Sequence, residues 1–191
     1  METYLPQDRV LELIRLCWYN GLILNQLQKD PEGTKFLERF RVESLNGIGF
    51  DSWNQGSIMM SLYGLFVLPK EYWRLKLRNG QKMLDEEIDK LIFGFLPANF
   101  RIDKYFKIVH ESSVGDNVQR LRHLRNSIAH GNISLDGNLF VFSSYSQIWD
   151  AAQNMYPLRQ KMTSDMIRLT SFIQDFGQYF INTLENSASE S

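Results

Sequence analysis

The chain has 191 residues, 43% hydrophobic and 13% aromatic, with 21 basic and 22 acidic side chains that leave a net charge of -1. A chain of this length buries roughly 70% of the surface its unfolded form exposes, so one domain can fold without a disulfide or metal staple. With 12 Gly, 5 Pro and 1 Cys it is not a collagen, a cysteine-rich scaffold or a disordered tail, and its charge balance excludes a strongly basic chromatin-type binder while leaving room for a local nucleic-acid patch.

Apolar residues at Val10, Leu13, Ile14, Cys17, Trp18 and Leu22 predict a helix over 7–29, ended by Asp30-Pro31-Glu32-Gly33. Cys17, without a partner, reads as a buried small hydrophobe, and a reducing, cytoplasmic setting is expected. Phe36, Leu37 and Phe40 suggest a short second helix, and the apolar stretch from Asp51 to Pro69 a central, buried third. Lys70–Lys82 is a basic run, read as a solvated face. Helical spacing returns over about 79–95, with Met83, Leu84, Ile88, Leu91 and Ile92 on one side and Asp85, Glu86, Glu87 and Asp89 on the other. A further helix from about Asp116 carries Val118, Leu121, Leu124 and Ile128 to a Gly131-Asn132 cap.

Ile133-Ser134-Leu135 and Leu139–Phe142 about Asp136-Gly137-Asn138 predict a hairpin. Residues 146–162 read as a short helix or loop, and a long helix is expected from Thr163 or Ser164 to about Leu184. The expected fold is all-α, an up-and-down helical bundle with one small β-hairpin after the helix that ends near His130. A single domain is expected over 1–184, with 185–191 expected as a disordered tail. No signal peptide or membrane span is expected, since the longest apolar run is Leu65–Leu68.

Zinc, P-loop, dinucleotide and nucleophile-elbow patterns are missing from the sequence, and no metal or cofactor is expected. Chemistry concentrates in Leu121-Arg122-His123-Leu124-Arg125-Asn126-Ser127-Ile128-Ala129-His130-Gly131. At about 100° per residue, Leu121, Leu124 and Ile128 form the buried stripe, and Arg122, Asn126 and His130 an adjacent polar one. Arg125 lies on the border, held by packing and able to reach the His130 side. A histidine that exchanges protons near neutral pH, beside a permanently charged guanidinium, suits phosphodiester chemistry.

The phrase Arg125-Asn126-Ser127-Ile128-Ala129-His130-Gly131 resembles the HEPN superfamily (higher eukaryotes and prokaryotes nucleotide-binding), whose mark is Arg, four to six residues, then His. The length and helix count extend the likeness over nearly the whole chain, most of all to free-standing bacterial HEPN families proposed to be nucleases in plasmid and phage-defence contexts. The resemblance implies a metal-independent endoribonuclease, a toxin or phage-defence effector, cutting RNA by 2′-OH transesterification at a composite site across a homodimer. It implies that Arg125 stabilises the scissile phosphate, His130 moves the proton and Asn126 orients one of them. In one HEPN toxin group a Tyr two residues past the motif His is the acceptor of an antitoxin's modification; here that position is Asn132, and any antitoxin would be a separate protein.

The aromatic and basic stretch Phe100–Lys107 offers Arg101, Lys104 and Lys107 as RNA contacts, with Phe100, Tyr105 and Phe106 interleaved, and Arg122 and His123 add to them. Ordinary readings stand beside these. Arg125 and His130 could form a structural pair at a helix end, Arg122, His123 and His110 could be surface or satisfied residues, and Trp18, Trp53, Trp73 and Trp149 could be core or interface anchors. A catalytically silent HEPN module for dimerisation, RNA binding or nucleotide sensing is the alternative function. Residues 101–125 carry six basic against three acidic side chains, so near-neutrality of the whole still permits an RNA groove.

Overall fold

The computed structural model describes residues 7–44, 50–70, 85–94 and 96–189. The basic run beyond Lys70, the side chain of Trp53, and Trp73 lie outside them.

Helix α1 (Gln7–Lys29) is followed at once by α2 (Pro31–Ser44). Asp30 caps α2, its carboxylate accepting the Gly33 N–H at 2.9 Å, and Pro31 occupies the first helical position, where an N–H would have no partner. Helix α3 (Phe50–Phe66) packs along α1. The two approach closely because Gly64 faces Cys17, and a Cβ at residue 64 would overlap the Cys17 side chain. Cys17 is partly rather than fully buried, and burial pushes its thiol pKa up, which keeps it a poor nucleophile.

Helix α4 (Asp85–Phe93) leads through a 3-10 turn (Ile102–Lys104) to strand β1 (Lys107–Glu111). Helix α5 (Asn117–Ala129) starts at Asp116, whose carboxylate accepts the Gln119 N–H at 2.8 Å. Arg120 on α5 ties it to β1, with Nε and Nη2 at 3.0 and 3.1 Å from the two Glu111 carboxylate oxygens. That bidentate bond holds the Glu111 carboxyl below its ordinary pKa.

Strands β2 (Ile133–Asp136), β3 (Leu139–Tyr145) and β4 (Leu158–Asp165) complete an antiparallel sheet of order β1-β4-β3-β2. Helix α6 (Met166–Ser189) closes the chain, capped by Asp165, which accepts the Arg168 N–H at 2.8 Å.

The core lies where α3, α5 and α6 meet the inner face of the sheet. Phe66 stacks on Phe176 at 4.5 Å and on Phe172 at 5.5 Å, and Phe106 and Phe142 bring the strands into the same cluster. Each fully buried ring of this kind contributes roughly 1.5–3 kcal/mol.

The expected all-α bundle is corrected here: the fold is mixed α/β, because the predicted hairpin β2–β3 is only half of a sheet of four strands. Two further strands were hidden in the sequence. β4 lies in what read as a short helix or loop and the start of the last helix, and β1 adjoins the aromatic and basic stretch. On β4 the inward side chains are Gln160, Met162 and Ser164, so the strand buries polar residues and shows little apolar alternation. Ser164 is satisfied by donating to the Tyr105 carbonyl at 2.8 Å. The last helix therefore begins at Met166, and its backbone is helical to Ser189, into residues expected as tail. No described helix is long and apolar enough to cross a membrane.

Candidate functional site

The end of α5 carries the motif, and its geometry follows from Gly131. With φ +67, Gly131 takes the left-handed conformation that ends helices. Its N–H reaches the Ile128 carbonyl at 3.2 Å, and the Asn132 N–H reaches the Ser127 carbonyl at 2.8 Å, a complete Schellman motif. His130 is thereby fixed as the C-cap by its backbone, donating to the Asn126 carbonyl at 3.0 Å, while its side chain stays exposed. Asn132 in turn accepts the Ser143 N–H at 3.0 Å and so registers the helix end against β3.

The predicted buried stripe is observed, Leu121 and Leu124 at 0% and Ile128 at 5% exposure. Arg125 joins it at 4%. Its Nη2 lies 3.3 and 3.4 Å from the two carboxylate oxygens of Asp89 on α4, and Arg122 Nε lies 2.7 Å from Asp89 Oδ2. Asp89 itself is 0% exposed, so a buried carboxylate on one helix clamps two guanidiniums of the next. The helical spacing alone places Asp89 on the polar side of its helix. The missed signal was Arg125 itself, since a guanidinium bordering the buried stripe requires a counter-charge.

Asn126 and His130 open together onto a cleft of about 770 Å³. Its other walls are the end of β3, with Ser144 and Tyr145, and residues of the loop 146–157. Arg125 is not among the lining residues. The motif is thus divided between two environments, Arg125 inside against Asp89 and His130 with Asn126 outside at the cleft.

The remaining candidates fall in different places. His123 is partly buried, its Nδ1 3.0 Å from the Ser144 hydroxyl. Burial, then the nearby Arg122 and Arg159 charges, push its pKa down, with Glu111 acting the other way. Lys104 is held by Asp175 at 3.1 Å, and Arg101 and Lys107 are exposed at the 3-10 turn and on β1. None of these three lines the cleft. Phe100, Tyr105 and Phe106 are 6%, 4% and 1% exposed, so the interleaved aromatics belong to the core and offer no face to a base. Among the described residues, no His, Cys, Asp and Glu side chains group in threes that could hold a metal ion.

The lowered pKa of His123 has a thermodynamic consequence. The unfolded chain, with an ordinary histidine near pH 6.5, takes up this proton before the folded one does. Stability is therefore complete above about pH 6.5 and falls as the pH drops through the folded value. Urea midpoints measured at neutral and mildly acidic pH should fall less for His123→Gln than for the wild type; equal losses would refute the assignment.

A model of the family described as HEPN pEK499 p136 matches residues 8–187. No curated protein and no solved structure matches the chain.

Proposed function

Since the chain belongs to the HEPN pEK499 p136 family, we propose that it is a metal-independent endoribonuclease whose proton carrier is His130. The observation that carries this reading is the exposed His130 side chain, held by the Schellman turn at the end of α5 and facing, with Asn126, an open cleft.

The 2′-OH of RNA attacks the adjacent phosphorus, His130 takes the hydroxyl proton, and the bond to the 5′ oxygen breaks. His130 of the partner subunit in a homodimer protonates that leaving oxygen. The products are a 2′,3′-cyclic phosphate and a 5′-OH, and the need for a 2′-OH restricts the substrate to RNA. Asn126 orients the phosphate or the imidazole from the same cleft.

Arg125 enters differently from the expectation. Held by Asp89, it fixes the helix that presents His130, and direct contact with the scissile phosphate requires that pair to open. Arg101 and Lys107, exposed along the 3-10 turn and β1, would guide the RNA backbone, whereas Lys104 and Arg122 are already engaged by carboxylates.

A toxin or phage-defence role follows from such an activity, with any antitoxin a separate protein. Expression of the wild-type chain in a bacterial host should arrest growth and fragment cellular RNA. Normal growth with intact RNA at confirmed expression would overturn the reading. One observation favours a second reading, a silent binding module: the motif arginine is 4% exposed and spends its charge on Asp89.

A further inference from the structure

One wall of the cleft that His130 lines is an aromatic loop whose construction is unusual for a surface connection. Trp149 and Tyr156 meet edge-on, ring centroids 5.0 Å apart at 80°, yet remain 48% and 49% exposed. Tyr145, at the end of β3, is 43% exposed beside them.

These rings are held in place by backbone bonds. Asp150 and Met155 exchange N–H to carbonyl bonds at 3.0 and 3.3 Å, the Asp150 carboxylate accepts the Ala152 and Gln153 N–H groups, and Asn154 at φ 51 closes the turn. At the base of the loop the Ser146 N–H reaches the Pro157 carbonyl at 2.8 Å. An aromatic pair left half in water on a hydrogen-bonded loop is a preformed surface for a planar ligand.

The polar part of the lining points the same way. The lining residues Asn126, Asn132, Gln147 and Asn154 carry side-chain amides, each able to donate and accept, and no Asp or Glu is among the described lining residues. Such a wall suits an uncharged ring with donor and acceptor edges. A volume of about 770 Å³ lies within the range of small-ligand sites, roughly 300–1,000 Å³, and admits a nucleoside. At the rim, the exposed Arg159 sets its Nη2 3.4 Å from the lining Ser146 hydroxyl, where a phosphate attached to the bound nucleoside could meet it.

We propose that this cleft is a nucleobase subsite, in which an unpaired base stacks on the face of one ring of the Trp149–Tyr156 pair, against the edge of the other, and is read at its own edge by the surrounding amides, next to His130. The inference rests on the ribonuclease reading for its substrate, single-stranded RNA, but base binding itself needs no cleavage. A free nucleotide presents the same chemistry, and the experiment separates the two sources.

The test measures anisotropy of a labelled single-stranded oligoribonucleotide methylated at every 2′-OH, so that it cannot be cut, with the full-length protein. The wild type should bind it at least about 10-fold more tightly than the same sequence in a duplex or with abasic sites. Trp149→Ala and Tyr156→Ala should each weaken binding by roughly 10-fold, and Trp149→Phe much less. Circular dichroism and thermal melting confirm that these variants, changed at exposed positions, remain folded.

Equal binding of the intact and abasic strands, or wild-type affinity in both alanine variants, would overturn the subsite. So would failure to bind nucleic acid at all, which would leave the rings to a protein partner. A mononucleotide that competes with an affinity equal to the oligomer's would overturn the assignment to RNA in favour of a free nucleotide. Trp149-dependent binding without any cleavage of ordinary RNA would keep the subsite and remove the ribonuclease reading. Cleavage lost in His130→Ala, with binding untouched by the aromatic substitutions, would do the reverse.

Discussion

His130→Ala is expected to lower RNA cleavage by roughly 10²–10⁴-fold, the usual worth of a positioned acid or base. The same substitution should leave unfolding within about 0.5 kcal/mol of the wild type. Both halves follow from the way the residue is held. The helix-capping role of residue 130 is performed by its backbone N–H on the Asn126 carbonyl, and the left-handed turn belongs to Gly131. The imidazole is exposed and forms no part of the core. A rate loss without a stability loss therefore reports chemistry. A variant that cuts RNA at the wild-type rate would mean that another group moves the proton, and a marked drop in melting temperature would mean that His130 is structural.

Asp89→Ala should have the largest effect on folding, about 3–5 kcal/mol, because removing one partner of a buried ion pair strands the other. Here the loss strips the carboxylate from both Arg122 and Arg125. Arg125→Ala should cost less, since Asp89 keeps its 2.7 Å partner Arg122. Urea denaturation of the two variants gives the comparison directly. An Asp89→Ala protein that unfolds at the wild-type midpoint would contradict the clamp. The order also separates the two readings of the motif. Arg125→Ala with near-normal stability and strongly reduced cleavage points to a charge used on RNA, whereas loss of both together points to Arg125 as the brace for the helix that presents His130.

The helices were legible because their cores are apolar at helical spacing: Leu121, Leu124 and Ile128 on α5, and Leu169, Ile173, Phe176 and Phe180 on α6, are all buried as their periodicity predicts. The hairpin was legible from Asp136-Gly137-Asn138, where Gly137 takes a positive φ. The rest of the sheet was not. β4 turns Gln160 and Ser164 inward, and β1 has a register shift between Ile108 and His110 that breaks its alternation.

At the site, the motif could be read because the Gly after His130 announces the helix end. Asp89 could not be read from its own neighbourhood. It follows Glu86 and Glu87 on a helix that resembles an ordinary solvated face, and only the partner helix makes its burial tolerable. Trp149 and Tyr156 were hidden for the opposite reason. Aromatic residues are core material by default, and what exposes this pair is the small turn that Asp150 and Asn154 build between them.

The central claim is that His130 cuts RNA by moving the proton of the 2′-OH. The most direct measurement is the chemical identity of the ends produced when purified wild-type and His130→Ala proteins are incubated with single-stranded RNA in the presence of a metal chelator. The account predicts fragments ending in a 2′,3′-cyclic phosphate and beginning with a 5′-OH from the wild type, and intact RNA from the variant. Fragments ending in a 3′-OH, cleavage abolished by the chelator, or identical products from both proteins would contradict it.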